Sequence, residues 1–316
     1  MNNSREKTIL AFAAVYLVWG STFLGVSIAL KSFPPFLLSA MRFLIGGLAL
    51  ASFCYIRKEK LPSYREILSF AFWGIIIFGG GVIAVVWAQQ YLPSSLASII
   101  ITTPFWFIVL DKSQWHVNFR SPWIMSGLTA GLIGVVLLVS QKPTASFGAV
   151  SLEHSRAILV MVCGSVLWVI GSLRLRSFQT ETSVFTKTAI HLLAAGVFAI
   201  SVSFISGEFS ALQLHQIRTD SVVAVLFLSI LSTTATFMAF IWLVRTQPVS
   251  IVSTYSYVNP MVAVLLGVLV GGETMNTLQV MAMVVILSGV LFVNMPKYLL
   301  RMKALKSRNI RPAVLS

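Results

Sequence analysis

Few side chains here could do chemistry inside the long apolar runs, and they recur in pairs. Arg42 and His191 are ionisable groups well inside the runs, and each follows a tryptophan by 23 residues, Trp19 and Trp168 respectively. An intramembrane charge is a functional candidate by default. Arg42 could hold a substrate carboxylate or serve a gate, and His191 could relay a proton. The competing readings are an arginine that snorkels or anchors loop carbonyls, and a satisfied core histidine. Trp19 and Thr22 are three apart, and Trp168 and Ser172 four apart, so each pair sets an aromatic and a hydroxyl on one helix face. That arrangement suits an amphipathic solute such as an amino acid. It equally suits helix packing, for which Gly20 and Ser21 are typical residues.

Proline marks two further candidates, Thr103-Pro104 and Asn259-Pro260. A mid-helix proline frees a backbone carbonyl and can kink the helix. In lipid such a break survives only when buried in protein or lining a cavity. Tyr255 shares a face with Asn259, four residues on. Asn259 either meets a polar solute or satisfies the helix broken by Pro260. Thr233, in Thr233-Thr234-Ala235, corresponds to the small stretch Gly79-Gly80-Gly81, where close packing competes with site lining. Gln89, near one end of its run, lines an entrance or lies at the interface.

Several chemistries lack their residues. No Asp or Glu falls near the middle of any run, which disfavours exporters in which a proton and a lipophilic cation compete for one buried carboxylate. Cys54 and Cys163 suggest neither a disulfide framework nor a metal site. His116 and His154 fall in loops on opposite faces, and no nucleophile with a base and no phosphate-binding loop is present. The sequence therefore predicts no enzyme, no cofactor and no direct drive by ATP.

The elements that position these residues follow from composition. Of 316 residues, 57% are apolar and 10% charged, with a mean hydropathy of +0.89. So few charges cannot coat a soluble surface of this size. Ten apolar runs are read as spanning helices: 8–30, 35–56, 68–90, 94–110, 123–140, 156–173, 185–205, 221–243, 249–270 and 278–295. Continuous rather than alternating hydrophobicity selects helices over a β-barrel. The first run is too long for a signal peptide and reads as a retained span. With the N-terminus inside, only Lys31, Lys142, Arg156 and Arg218 of the 23 Lys and Arg fall outside, and Arg42 lies within a span. The net charge of +14 thus encodes orientation, with both termini cytoplasmic, and does not call for nucleic acid.

The two halves repeat. Trp87 precedes Pro93 by 6, as Trp242 precedes Pro248, and Pro93-x-Ser95-x-x-Ser98 matches Pro248-x-Ser250-x-x-Ser253. Such matches keep an offset of 149 to 155 residues. Five spans per half is an odd number, so the second half is inverted. The predicted fold is an all-α integral membrane protein of ten transmembrane helices in two inverted five-helix repeats. The repeats occupy residues 1–145 and 150–296, followed by a basic cytoplasmic tail over 297–316 that can meet anionic lipid.

The chain resembles the drug/metabolite transporter superfamily, specifically its ten-span EamA-type members. The resemblance covers residues 8–295 and rests on Val18-Trp19-Gly20-Ser21-Thr22-Phe23, Ala40-Met41-Arg42-Phe43-Leu44, Gln89-Gln90-Tyr91-Leu92-Pro93-Ser94-Ser95-Leu96-Ala97 and Tyr257-Val258-Asn259-Pro260-Met261-Val262-Ala263, closed by Gly272-Glu273. It implies a central cavity lined by spans 1, 3, 4, 6, 8 and 9, with spans 5 and 10 peripheral. Small metabolites, often amino acids, move through such proteins, commonly outward. One stretch departs from the pattern: Leu110-Asp111-Lys112-Ser113-Gln114-Trp115 stands where the first repeat often has a Gly-Glu-like turn. Glu273 reads as a turn or cap residue.

The expected function is secondary transport of a neutral or zwitterionic small solute, with the bilayer as partner and protons as a candidate coupling ion. An uncoupled facilitator, a scaffold and an embedded enzyme are the rivals. The outer loops carry no glycosylation sequon, which favours a bacterial inner membrane. The sequence sets no oligomeric state.

Overall fold

A computed structural model describes residues 2–101, 110, 120–139, 152–177, 180–247, 252, 255–272, 275 and 277–309. Most of these residues are helical, with no strand among them. Among the described residues, six helices are long and apolar enough to cross a membrane: Glu6–Ala29, Pro35–Ile56, Tyr64–Ala88, Leu152–Arg174, Val184–Ile205 and Thr219–Leu243. Each begins within four residues of its expected start. The helix expected over 156–173 is longer than that, because the polar cluster at 153–156 is absorbed into its first turn. The protein is thus a multi-pass membrane protein, and the described residues leave the full count of ten spans an expectation.

In chain order, α1 joins Asn2–Ala13, a π-helical segment Ala14–Val18 and Trp19–Ala29. Next come α2 (Pro35–Ile56), α3 (Tyr64–Gly74, π-helical Ile75–Val82, Ile83–Ala88) and α4 (Ser94–Ile100). They are followed by α5 (Pro122–Val139), α6 (Leu152–Ser177) and α7 (Val184–Ile205). Last come α8 (Thr219–Leu226, π-helical Phe227–Ala235, Thr236–Thr246), α9 (Tyr255–Leu269) and α10 (Thr277–Asn309).

The chain divides into two compact units, one of Met1–Thr103 with Pro143–Thr274 and one of Pro104–Lys142 with Met275–Ser316. In the second, α5 packs along α10. A Cβ on Gly289 would stand 2.6 Å from the Gly127 carbonyl oxygen, so only glycine lets these backbones meet. Helix α10 runs on through Pro296 to Asn309, so residues 297–309 of the expected loose tail are helical. Leu, Arg, Met, Lys and Ala dominate that stretch, and all are good helix formers.

In the first unit, α2 and α7 cross with reciprocal contacts. A Cβ on Gly47 would meet the Leu193 side chain at 3.0 Å, and one on Gly196 would meet Leu44 at 2.7 Å. Leu193 and Gly196 lie 149 residues beyond Leu44 and Gly47, so each helix offers the same groove to the same knob. The ends repeat this. Helix α2 closes through left-handed Lys58 (φ 51°), and Glu59 then reaches the start of α7, accepting from the hydroxyls of Ser183 and of Thr186 (2.7 Å for the latter). Helix α7 closes through left-handed Gly207 (φ 75°), and Glu208 accepts from the Phe36 and Leu37 N–H groups at the start of α2 (3.1 and 2.8 Å) and from Ser203 (2.8 Å). A carboxylate at a helix N-terminus satisfies orphan donors and complements the dipole.

The two hydroxyl donors hold the Glu59 carboxyl below the usual carboxylate range. A carboxyl lowered on folding stabilises fully above its unfolded value of about 4.3. That contribution is lost as pH falls through the lower folded value. Glu59→Gln is therefore expected to lower the melting temperature of the detergent-solubilised protein by about 2 °C at pH 7. The gap to wild type should close towards pH 3, and a gap that is the same at pH 3 and pH 7 would refute the cap.

Candidate functional site

Helices of both halves enclose a cavity of about 160 Å³ within the first unit. Three of its walls, α1, α3 and α8, carry the π-helical segments near mid-length. Such segments are rare and recur at functional sites, because the wider turn leaves carbonyls and side chains in non-helical register. Those of α3 and α8 start at Ile75 and Phe227, 152 residues apart, within the offset of the repeat.

The polar core of the cavity centres on α8. The Thr236 N–H turns to the Leu231 carbonyl, five residues back. The Ser232 carbonyl, the α-helical acceptor for that N–H, takes the Trp19 indole N–H at 3.2 Å. Thr22 donates to the Val18 carbonyl at 2.9 Å, so the Ser232 hydroxyl donates to Thr22 Oγ1 at 2.7 Å. Arg42, 7% exposed, donates from Nε to Thr233 Oγ1 at 2.5 Å and from Nη2 to Ser232 Oγ at 3.3 Å. Two oxygens adjacent on α8 thus take the Nε–Nη2 edge of one guanidinium, while no carboxylate pairs with Arg42 among the described residues.

Aromatic rings form the apolar wall. Phe78 meets Trp168 edge-on at 6.0 Å and Phe237 at 5.4 Å, and Trp19 meets Tyr255 edge-on at 5.4 Å. Asn259, 7% exposed, has its NH2 group directed by its surroundings to the carbonyls of Val15, Tyr16 and Tyr255, 3.2 Å each. Asn259 therefore braces the π-helical turn of α1 and also faces the cavity. Gln89 donates to the Phe23 carbonyl at 2.8 Å, and its buried Oε1 has no partner among the described residues.

The structure brings Trp19, Thr22, Arg42, Gln89, Trp168, Thr233, Tyr255 and Asn259 together around this cavity. Thr103, Pro104 and Glu273 lie outside the described residues. Ser172 stays with its own helix, donating to the Trp168 carbonyl at 2.6 Å. His191 sits elsewhere, against Gly74 and edge-on to Phe70 at 5.9 Å, with neither ring nitrogen partnered among the described residues. Ser232, Phe78 and Phe237 escaped the sequence reading. Its missed signal was the hydroxyl-rich stretch Ser229, Ser232, Thr233, Thr234 and Thr236, since a buried arginine needs acceptors from some facing helix.

Residues 6–140 and 155–295 each match the model of the EamA-like transporter family. The chain belongs to that family. A relative in Escherichia coli K12, the uncharacterized inner membrane transporter YedA, is 32% identical over 307 residues, covering 96% of this chain and 95% of YedA. The uncharacterized transporter YoaV of Bacillus subtilis is 25% identical, with 83% and 87% covered. A WAT1-related chloroplastic protein of Arabidopsis thaliana is 23% identical, with 89% and 68% covered. One crystal structure superposes with a TM-score of 0.63 at 22% identity, over 93% of this chain and 99% of the other, which bears on the fold alone. As an EamA-like transporter, the chain needs a route for solute, and the cavity is the candidate.

Proposed function

We propose that this protein is a secondary transporter that moves a small amphipathic metabolite, of amino-acid size, out of the cell by alternating access. The observation that carries the reading is the cavity itself, with walls from both halves and a π-helical segment in three of them. A water needs about 10–15 Å³ by this measure, so 160 Å³ admits a solute of on the order of ten heavy atoms. The reciprocal crossing of α2 and α7 supports two inverted repeats over 1–145 and 150–296. That architecture permits two related states, each open to one side. Both termini face the cytoplasm, and the membrane is a bacterial inner membrane. Protons are the candidate coupling ion.

Solute counterflow in proteoliposomes tests this reading, with amino acids and small metabolites, with and without a pH gradient, and with Asn259→Ala as control. Saturable flux lost in the variant is the expected result, and a lack of saturable flux across the panel overturns it. Flux unaffected by the gradient would make the protein an uncoupled facilitator. Trp19→Phe keeps the ring but removes the donor to the Ser232 carbonyl. One neutral hydrogen bond is worth about 1 kcal/mol, and this one lies within the protein, so the melting temperature is expected to fall by about 2 °C with KM nearly unchanged. An unchanged melting temperature would show that this bond does not hold α1 to α8.

A further inference from the structure

We propose that the transported solute is a monocarboxylate with an aromatic or similarly flat apolar body and no free ammonium group. This rests on the cavity being the transport site, and replaces the neutral or zwitterionic class expected from the sequence with an anionic one.

The inventory of donors leads to the carboxylate. Arg42 spends Nε and one N–H of Nη2 on the α8 hydroxyls, and Nη1 makes no hydrogen bond among the described residues. Thr233 Oγ1 accepts from Arg42, and its own hydroxyl proton has no acceptor there. The hydroxyls of Thr22 and Ser232 are already committed to Val18 and to each other. The donors left over are the two N–H groups of Nη1, the second N–H of Nη2 and the Thr233 O–H, on two residues that both line the cavity. Two carboxylate oxygens use such donors well, because charge-assisted bonds from a guanidinium fork are the strong ones.

The charge inventory excludes the ammonium. No Asp or Glu lines the cavity among the described residues, so the positive charge of Arg42 has no counter-charge among them. A solute with one negative charge neutralises it, whereas a zwitterion brings a second cation into the same low-dielectric space. The neutral oxygens at hand, such as Asn259 Oδ1, do not replace a counter-charge. The rest of the wall is apolar. Phe78, Trp168 and Phe237, edge-on to one another, form an aromatic wall against which a flat ring can pack. A six-membered ring bearing a three-carbon acid has on the order of ten heavy atoms, the size the cavity admits.

The test uses the purified full-length protein in detergent and four probes of matched size: 3-phenylpropanoate, phenylalanine, 3-phenylpropanamide and 2-phenylethylamine. Binding is read from tryptophan fluorescence, since Trp19 and Trp168 line the cavity, and counterflow of a broad solute panel is run in parallel. Saturable binding of 3-phenylpropanoate is expected, with phenylalanine and the amide at least tenfold weaker and the amine unbound. Arg42→Gln should bring the acid down to the level of the amide. Thr233→Val, a milder change that keeps the fold testable, should weaken the acid about fivefold and leave the amide unmoved. Phenylalanine, the amide or the amine binding as tightly as the acid overturns the proposed class and leaves the transport reading standing. So does counterflow of other solutes with no binding of the acid. No binding and no counterflow of any compound overturns both.

Discussion

Replacing Arg42 with glutamine is expected to raise the KM for transported solute by about thirtyfold while leaving the protein folded. The guanidinium is buried, is held by Thr233 and Ser232, and lacks a carboxylate partner among the described residues. A charge-assisted hydrogen bond to solute is worth about 1.5–3 kcal/mol, which corresponds to roughly ten- to a hundredfold in affinity. Arg42→Lys keeps the charge but loses the planar fork, so it should recover only part of the loss. Stability should move the other way from function. Glutamine removes a charge whose burial in a membrane protein is costly and still reaches an α8 hydroxyl, so the melting temperature should hold or rise. A variant that unfolds, or one with wild-type KM, would show that Arg42 is a structural brace and nothing more.

Gly74→Ala is expected to be the most damaging conservative change in the described chain. A Cβ there would stand 2.5 Å from the Cα of His191 and 2.6 Å from its carbonyl oxygen. Both are backbone atoms on α7, so no rotamer change relieves the clash, and α3 and α7 must move apart. Overpacking typically costs about 1–3 kcal/mol and more where backbone must shift, so a loss of about 3 kcal/mol is expected, read as a large fall in melting temperature and in yield. Gly79→Ala, on the same helix, is the control. Its Cβ would meet the Phe198 ring at 3.1 Å and Ile75 at 3.3 Å, both side chains that can give. Equal damage from the two substitutions would refute the argument.

The six long helices were legible because apolar runs of 18 or more residues mark a span to within a few residues of its start. Trp19 and Trp168 were legible as a pair through their equal distances from Arg42 and His191. The pairing of Arg42 with His191 was misleading in one respect, for the two environments differ. Ser232 and Thr233, which take the Arg42 guanidinium, correspond at the 152-residue offset of the π-helical segments to Gly80 and Gly81. Those glycines hold no hydroxyl and instead admit Leu167 and Trp168 at close range. The same backbone position thus serves a charge in one half and a helix contact in the other. The π-helical segments themselves were not legible, since their carbonyl register follows from tertiary packing and no residue type marks it. The caps formed by Glu59 and Glu208 were not legible, because what each one caps lies about 125 to 170 residues away.

The clasped pair α2 and α7 has a bearing on the proposed alternating-access cycle. In a cycle of inverted repeats, the two end states differ by an exchange of conformation between the halves. Under that exchange α2 becomes α7, Gly47 becomes Gly196 and Glu59 becomes Glu208, so the pair maps onto itself. Whatever this crossing contributes is common to both end states and drops out of their difference, just as a ligand bound equally to two states shifts neither. On the proposed alternating-access mechanism, the pair is therefore an invariant axis of the cycle. Substitutions along it should change how much folded protein there is, while those in the π-helical walls should change how that protein divides its time between the two faces of the membrane.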